Sequence, residues 1–315
     1  MHFHTAGVDV APWIPPLVAF VVSFFTSMGG VSGAFLLLPF QMSFLGYTAP
    51  SVSATNQLFN IGAIPSGVIR YIREGRMVWP LTWVIVIGTV PGVVIGALVR
   101  VVYLPDPTDF RLFAGLVLLY LGTRMVRDLF RRNGDKRGPI RAEQRFRELV
   151  KQRGVTLGQG SVVPAVVMQR CDAGSVCYEF SGERYEVSTV GLAALSLIVG
   201  VVGGIYGIGG GAIIAPLLVT FFKLPVYTVA GAALLGTFVT SAVGVAFYQA
   251  IAPLYPDFSV APDWLLGLLF GLGGMVGMYF GARCQKYVPA LAIKWMLSVI
   301  ILFIAARYTL SILDR

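Results

Sequence analysis

The chain has 315 residues, of which 56% are hydrophobic and only 12% are charged, and its net charge is +9. Soluble domains carry about 25% charged residues, so this composition excludes a water-soluble core and indicates a polytopic membrane protein with the lipid bilayer as its solvent. The positive charge is concentrated in residues 124–153, which hold eleven Lys or Arg and four acidic residues. This run directly follows an apolar segment and therefore indicates a cytoplasmic loop that obeys the positive-inside rule. The alternative interpretation is that this basic run binds anionic lipid headgroups. We expect no nucleic-acid partner.

Few side chains in the apolar part could perform catalysis. His2 and His4 are the only histidines, and all Asp and Glu residues lie in loops and termini. This distribution disfavours haem, a metal centre and a Ser-His-Asp triad, so we expect no cofactor, no metal and no enzymatic activity. Cys171 and Cys177 lie in the polar middle of the chain, where a cytoplasmic location predicts free thiols.

Each half of the chain contains five apolar segments. The second segment of each half has only 12 to 14 residues, too few for an ordinary membrane crossing, which predicts a half-helix or re-entrant element. The segments are 13–28, 34–47, 51–71, 78–99 and 111–130 in the first half, and 189–206, 211–222, 226–250, 264–283 and 291–312 in the second.

The two halves share a sequence pattern, which indicates a duplication. An offset of 177 aligns Gly30, Gly33 and Pro39 with Gly207, Gly210 and Pro216, and later blocks align at offsets of 185 and 183. The offset changes only in polar connections, where insertions are tolerated.

The loops that follow equivalent segments carry opposite charge patterns. The loop after the third segment is basic in the first half, whereas the loop after the fourth segment is basic in the second half. Because basic loops face the cytoplasm, the pattern predicts inverted-topology repeats with both termini outside. A parallel four-plus-four arrangement is the alternative.

We therefore predict an all-α polytopic membrane protein with a first repeat over 13–130, a cytoplasmic insert over 131–188 and a second repeat over 189–312. Within the insert, residues 139–153 have the pattern of an amphipathic basic helix, and residues 155–187 alternate as short strands do.

The glycine-rich stretch from Gly203 to Gly211 is the strongest local signal, and it has a weaker copy around Gly30. Glycines permit positive φ and the close approach of a substrate. A helix that begins after such a break presents free N–H groups and the positive end of its dipole to an anion. Close packing of small residues is the alternative interpretation. The candidate substrate-binding residues from these stretches are Gly30, Ser32, Gly33, Gly207, Gly209, Gly210 and Gly211.

Polar residues in the third segment of each half are the second signal. Asn56 and Asn60 are four residues apart and share a helix face, and Thr237 and Thr240 occupy the corresponding segment of the second half. Such residues line a solute pathway or form hydrogen bonds between helices, and the sequence favours neither. We include all four among the candidate site residues.

The chain resembles the TauE/SafE family of sulfite exporters and toluene-sulfonate uptake permeases. The residues that carry the resemblance are Gly207–Gly211 with Pro216, Gly29–Gly33 with Pro39, and the later Pro91, Gly92, Gly96 and Ala97. The resemblance covers nearly the whole chain except the first dozen residues and 131–188. It implies secondary transport of sulfite, sulfonates and related small organic anions.

These features predict a bacterial inner-membrane secondary carrier that moves a small sulfur-containing or carboxylate anion by alternating access. A coupling ion and a homo-oligomer are compatible with this function. The alternatives are a passive anion channel, a membrane-embedded enzyme, and a sensor or scaffold that works through residues 131–188.

Overall fold

The computed structural model describes residues 1–28, 32–73, 77–130, 166–168, 174–180, 182–284, 295, 298–306 and 308. It is an all-α polytopic membrane protein with two small sheets outside the helices. Among the described residues, four helices are long and apolar enough to cross a membrane. They include the 24-residue helix from Trp79 and the 21-residue helix from Trp264.

Six helices form the first half and at least four form the second. The first-half helices are α1 (Ile14–Met28), α2 (Ala34–Ser43), α3 (Ser51–Ala63), α4 (Pro65–Arg73), α5 (Trp79–Val102) and α6 (Pro107–Phe130). The second-half helices are α7 (Thr189–Tyr206), α8 (Gly211–Phe221), α9 (Val226–Ile251) and α10 (Trp264–Cys284), and residues 298–306 are also helical.

The first helix of each half packs against the fourth segment of the other half through glycines at every fourth position. Without side chains, these glycines let the backbones approach closely. Gly88, Gly92 and Gly96 of α5 lie against Ala193, Leu197 and Val201 of α7, and Gly273, Gly277 and Gly281 of α10 lie against Pro16, Phe20 and Phe24 of α1. At offset 177 the α1 residues correspond to the α7 residues, so the two interfaces are reciprocal.

The same contacts give the relative directions of the helices. Residue numbers rise together along α1 and α10 and along α5 and α7, so each pair is parallel. In contrast, α3 and α9 are antiparallel, because Asn60 lies beside Ser241 and the earlier Gln57 lies beside Gly244. The third segments of the two halves thus run in opposite directions.

The short second segment of the second half turns back into the bundle. Gly203 of α7 contacts Gly209, and Gly191 near the start of α7 faces Phe222 just after α8. Helix α8 therefore runs back along α7. Gly207 ends α7 in the left-handed conformation, with φ 79°, and the N–H groups of Gly207 and Ile208 donate to the Gly203 carbonyl. This arrangement stops a helix that the apolar sequence would otherwise continue.

The third segment of the first half differs from the prediction. Residues 51–71 were expected as one apolar segment, but α3 ends at Ala63 and α4 starts at Pro65. Pro65 has no N–H to donate to the Ile61 carbonyl, which interrupts the helical hydrogen bonds although Ile64 itself keeps a right-handed helical conformation. The corresponding α9 has no internal proline and continues for 26 residues.

Two small sheets lie at opposite ends of α9. The N-terminal hairpin of β1 (His2–Phe3) and β2 (Val8–Asp9) contacts the loop after α9, where Ser259 donates to the Thr5 carbonyl. At the other end lies the antiparallel sheet of β3 (Val166–Met168), β4 (Ser175–Phe180) and β5 (Glu183–Ser188).

The second sheet is anchored to the helices through Tyr178. Its hydroxyl lies 2.9 Å from Thr228 Oγ1 at the start of α9, and burial raises the pKa of Tyr178 well above its ordinary value. The predicted basic helix over 139–153 lies outside the described residues. Cys177 is in a disulfide, so the prediction of a free thiol is wrong for this residue, and Cys171 lies outside the described residues.

Candidate functional site

The glycine-rich break between α7 and α8 lies at mid-height in the bundle. Gly210 faces Thr89, near the middle of α5, and Gly209 faces Thr237 and Ser241, near the middle of α9. The break is therefore far from both ends of the long helices.

Two glycines of the break have positive φ, as the sequence predicts for an unwound stretch. Gly207 has φ 79° and Gly209 has φ 68°, a conformation that side chains disfavour. There is also no space for a side chain. A Cβ at Gly207 would lie 2.6 Å from Ser53 Cα, and one at Gly209 would lie 2.8 Å from Thr237 Cγ2.

Asn56 connects the two re-entrant elements. Its amide nitrogen donates to the Ala34 carbonyl, at the start of α2, and to the Gly207 carbonyl, at the end of α7, both at 3.0 Å. Its amide oxygen accepts from Gln41 Nε2 at 3.2 Å. Asn56 is fully buried, so these bonds satisfy a side chain that has no access to water.

Asn60 makes a parallel connection one helical turn later. Its Nδ2 donates to the Ile208 carbonyl at 3.0 Å and to Ser241 Oγ at 3.2 Å. Its Oδ1 accepts from Ser32 Oγ at 2.8 Å. The structure therefore brings Ser32, Asn60 and the break together, and Ser32 Oγ also lies 3.4 Å from the Ala34 N–H.

The two threonines on α9 mainly bond their own helix. Thr237 Oγ1 donates to the Ala233 carbonyl at 2.8 Å, and Thr240 Oγ1 donates to the Gly236 carbonyl at 2.7 Å. Thr240 also reaches the break, because its Oγ1 accepts from the Gly210 N–H at 3.5 Å. Thr237 contacts the break through its methyl group.

The remaining predicted residues are the glycines that start the re-entrant helices. Gly33 precedes α2, Gly210 precedes α8 and Gly211 is the first residue of α8. Because both N-cap residues are glycines, neither has a side chain that could cap its own helix. Gly30 lies outside the described residues.

Several polar side chains around the break are absent from the predicted list of site residues. Ser53 donates to the Ile205 carbonyl at 3.0 Å, Gln41 bonds Asn56, and Ser241 bonds Asn60. The signal that could have found Ser53 is its place on one face of α3 with Gln57 and Asn60, at spacings of four and three residues.

The break is surrounded by neutral groups. Among the described residues, Arg100 and Asp263 alone are both charged and buried, and both are bonded at the end of the bundle that carries the N-terminal hairpin. Arg100 donates to the Thr48 and Leu104 carbonyls and lies 3.8 Å over the Phe110 ring. Asp263 accepts from the N–H groups of Ala6 and Leu266. Within the described residues, no group of three His, Cys, Asp or Glu could hold a metal ion.

A cavity lies away from the break. It has a volume of about 620 Å³, lies between α1, α2 and residues 300–308, and has a largely apolar lining that includes Phe25, Phe40 and Phe303. The lining also contains the polar side chains of Ser43, Arg111 and Tyr308.

Comparison with known proteins identifies one family. The model of the family described as "Sulfite exporter TauE/SafE" matches residues 16–308. No curated protein and no solved structure matches the chain significantly.

Proposed function

The chain belongs to the sulfite exporter TauE/SafE family, and from this premise we propose that it is a secondary carrier that binds one small anion between its two re-entrant elements. Family membership implies membrane transport of sulfur anions such as sulfite. Our proposal adds the position of the site, an alternating-access mechanism and a substrate that is sulfite, an organosulfonate or a related sulfur-containing or carboxylate anion.

The hydrogen bonds of Asn56 carry the proposal. One side chain holds the start of α2 and the end of α7 together at mid-height in the bundle. A structural helix contact alone would not require unwound backbone at this depth. A solute site would, because unwound backbone supplies polar groups in a region without water.

The start of each re-entrant helix supplies the attraction for an anion. The side-chain hydrogen bonds at the two helix starts are long, at 3.4 Å from the Ala34 N–H to Ser32 Oγ and 3.5 Å from the Gly210 N–H to Thr240 Oγ1, and such helix ends favour negative charge through their N–H groups and dipole. We therefore propose that seven residues surround the anion: Ser32, Gly33, Asn60, Gly209, Gly210, Gly211 and Thr240. Four further residues belong to the same site and maintain its structure: Gly30, Asn56, Gly207 and Thr237.

The reciprocal glycine interfaces support alternating access. Helix α1 is attached to α10 of the other half, and α7 is attached to α5. Such exchanged pairs can move as rigid units against each other, and inverted repeats would make the inward-open and outward-open states related by symmetry.

Flux into proteoliposomes tests the carrier. Labelled sulfite uptake should saturate with concentration and should accelerate when unlabelled sulfite is loaded inside, since a carrier returns faster when loaded. Uptake that rises linearly and shows no acceleration would identify a passive channel. Empty liposomes and the Gly210→Val variant, which places a side chain against Thr89, are the controls.

A further inference from the structure

Gln57 is a buried polar side chain that has no hydrogen-bond partner. It lies in the middle of α3 with no solvent exposure. Among the described residues, neither its Nε2 nor its Oε1 has a partner. A buried amide without partners is costly, so native proteins rarely keep one without a reason.

The neighbours of Gln57 on the same helix face are fully engaged at the break. Ser53, one turn earlier, donates to the Ile205 carbonyl, and Asn60, almost one turn later, donates to the Ile208 carbonyl. Gln57 lies between them and packs against Gly244 of α9, where a glycine leaves room for its head group. The unpartnered amide is therefore on the face of α3 that meets the break.

The other half shows what this position needs for packing alone. At offset 177, Gln57 corresponds to Leu234 and Gly244 corresponds to Gly67. The packing is also equivalent, because a Cβ at Gly67 would lie 3.4 Å from Leu234 Cδ1. A leucine thus fills the second position without any polar group, and packing does not explain the amide of Gln57.

We infer that Gln57 is a solute-binding residue and that it selects an anion with a single negative charge and a protonated oxygen, such as hydrogensulfite. This inference rests on the proposed transport function. In the described structure the amide is occluded, and the movement of the halves would bring the anion to it.

Two observations give the class of anion. An amide has both a donor and an acceptor, and its oxygen is satisfied only by a ligand that carries an O–H or N–H group. In addition, the break has only neutral groups around it, and the free energy of burying an ion without a counter-charge rises steeply with its charge. A protonated monoanion satisfies the amide and avoids the burial of a second charge.

Gln57→Leu tests the residue without disturbing the packing, because it copies the Leu234–Gly67 contact. In the absence of solute, the variant should unfold at the same or a higher temperature than the wild type. Its affinity for sulfite should fall by about tenfold to a hundredfold, as expected for the loss of hydrogen bonds to an ion. Leu234→Met is the matched control and should retain wild-type affinity and flux.

The pH dependence tests the protonated form. Sulfite affinity of the wild type should fall by about tenfold per pH unit above the second acid dissociation of sulfurous acid, in proportion to the hydrogensulfite that remains. Methanesulfonate, whose charge does not change in this range and which has no O–H group for the amide oxygen, should bind more weakly and with an affinity that is independent of pH.

Three results would separately refute the role of Gln57, the selectivity for a protonated anion, and the proposed function. Unchanged sulfite affinity in Gln57→Leu would refute the role of Gln57 alone. Affinity that rises with pH would show that the dianion binds and would refute the selectivity. A wild-type protein that moves and binds no oxyanion would refute the proposed function itself, and the inference with it.

Discussion

Asn56 has donors and an acceptor that an apolar side chain cannot replace. Its three hydrogen bonds satisfy two backbone carbonyls and the amide of Gln41 in a region closed to water. Each buried partner left unsatisfied costs about 1–3 kcal/mol. Asn56→Leu should therefore lower the unfolding temperature of the purified protein markedly.

Thr123→Ala is the control for this prediction, because Thr123 is exposed and bonds only its own helix. It should leave the unfolding temperature nearly unchanged. An Asn56→Leu protein as stable as Thr123→Ala would show that Asn56 does not hold the two re-entrant elements together.

The sequence predicted part of this site and missed another part for a geometric reason. A spacing of four placed Asn56 and Asn60 on one helix face, and the glycine cluster predicted the unwound stretch. Gln57 directly follows Asn56 but points to a different neighbour, and only the packing of α3 against α9 shows that Gly244 lies opposite it. The spacing of three places Gln57 and Asn60 on one helix face, but the glycine opposite Gln57 is a tertiary contact that no local pattern shows.

At the scale of elements, the glycine stripes of α5 and α10 should contribute equally to stability. A Cβ at Gly92 would lie 2.9 Å from Gly200 Cα, and one at Gly277 would lie 2.9 Å from Phe20 Cα. Gly92→Ala and Gly277→Ala should each destabilise the protein by about 1–3 kcal/mol, as overpacking does. The change in unfolding temperature in detergent measures this.

Ile87→Ala is the matched control on α5, because Ile87 is 70% exposed on the outer surface of the helix. It should have little effect. If Gly92→Ala is strongly destabilising and Gly277→Ala is neutral, the two interfaces are not equivalent in energy, and their reciprocal geometry does not reflect a shared role.

The helices themselves were predicted well where hydrophobic runs end at polar or glycine-rich boundaries. The segment 189–206 coincides with α7, whose end is marked by Gly207. The break between α3 and α4 was missed because the apolar run continues through Pro65 without a polar boundary. Hydropathy gives the extent of an apolar run but does not show whether a proline interrupts it, since Pro65 separates two helices whereas Pro91 lies inside the continuous α5.

At the scale of the whole molecule, two features give opposite indications for the side of the membrane on which β4 and β5 lie. The basic run 124–153 favours the cytoplasm, whereas the disulfide at Cys177 favours an oxidising compartment. The charge pattern predicts that Arg184→Cys, in the sheet, is protected from an impermeant thiol reagent in intact cells. Asp257→Cys, at the opposite end of the bundle, should be labelled.

Both cysteine variants need a background in which Cys284, a free cysteine, is replaced by serine. Permeabilised cells provide the control, because both positions are exposed and should then react. Labelling of Arg184→Cys in intact cells, with protection of Asp257→Cys, would reverse the predicted orientation.

The central claim is that an anion binds at the glycine-rich break, and anion-induced thermal stabilisation tests it most directly. Ligand that binds the native state raises the unfolding temperature by mass action. We predict that sulfite, a sulfonate or a short carboxylate stabilises the wild-type protein. Gly210→Val should unfold cooperatively but show no shift, because its side chain projects from the start of α8 toward Thr89. An absence of stabilisation by every anion tested, or an equal shift in Gly210→Val, would contradict the account.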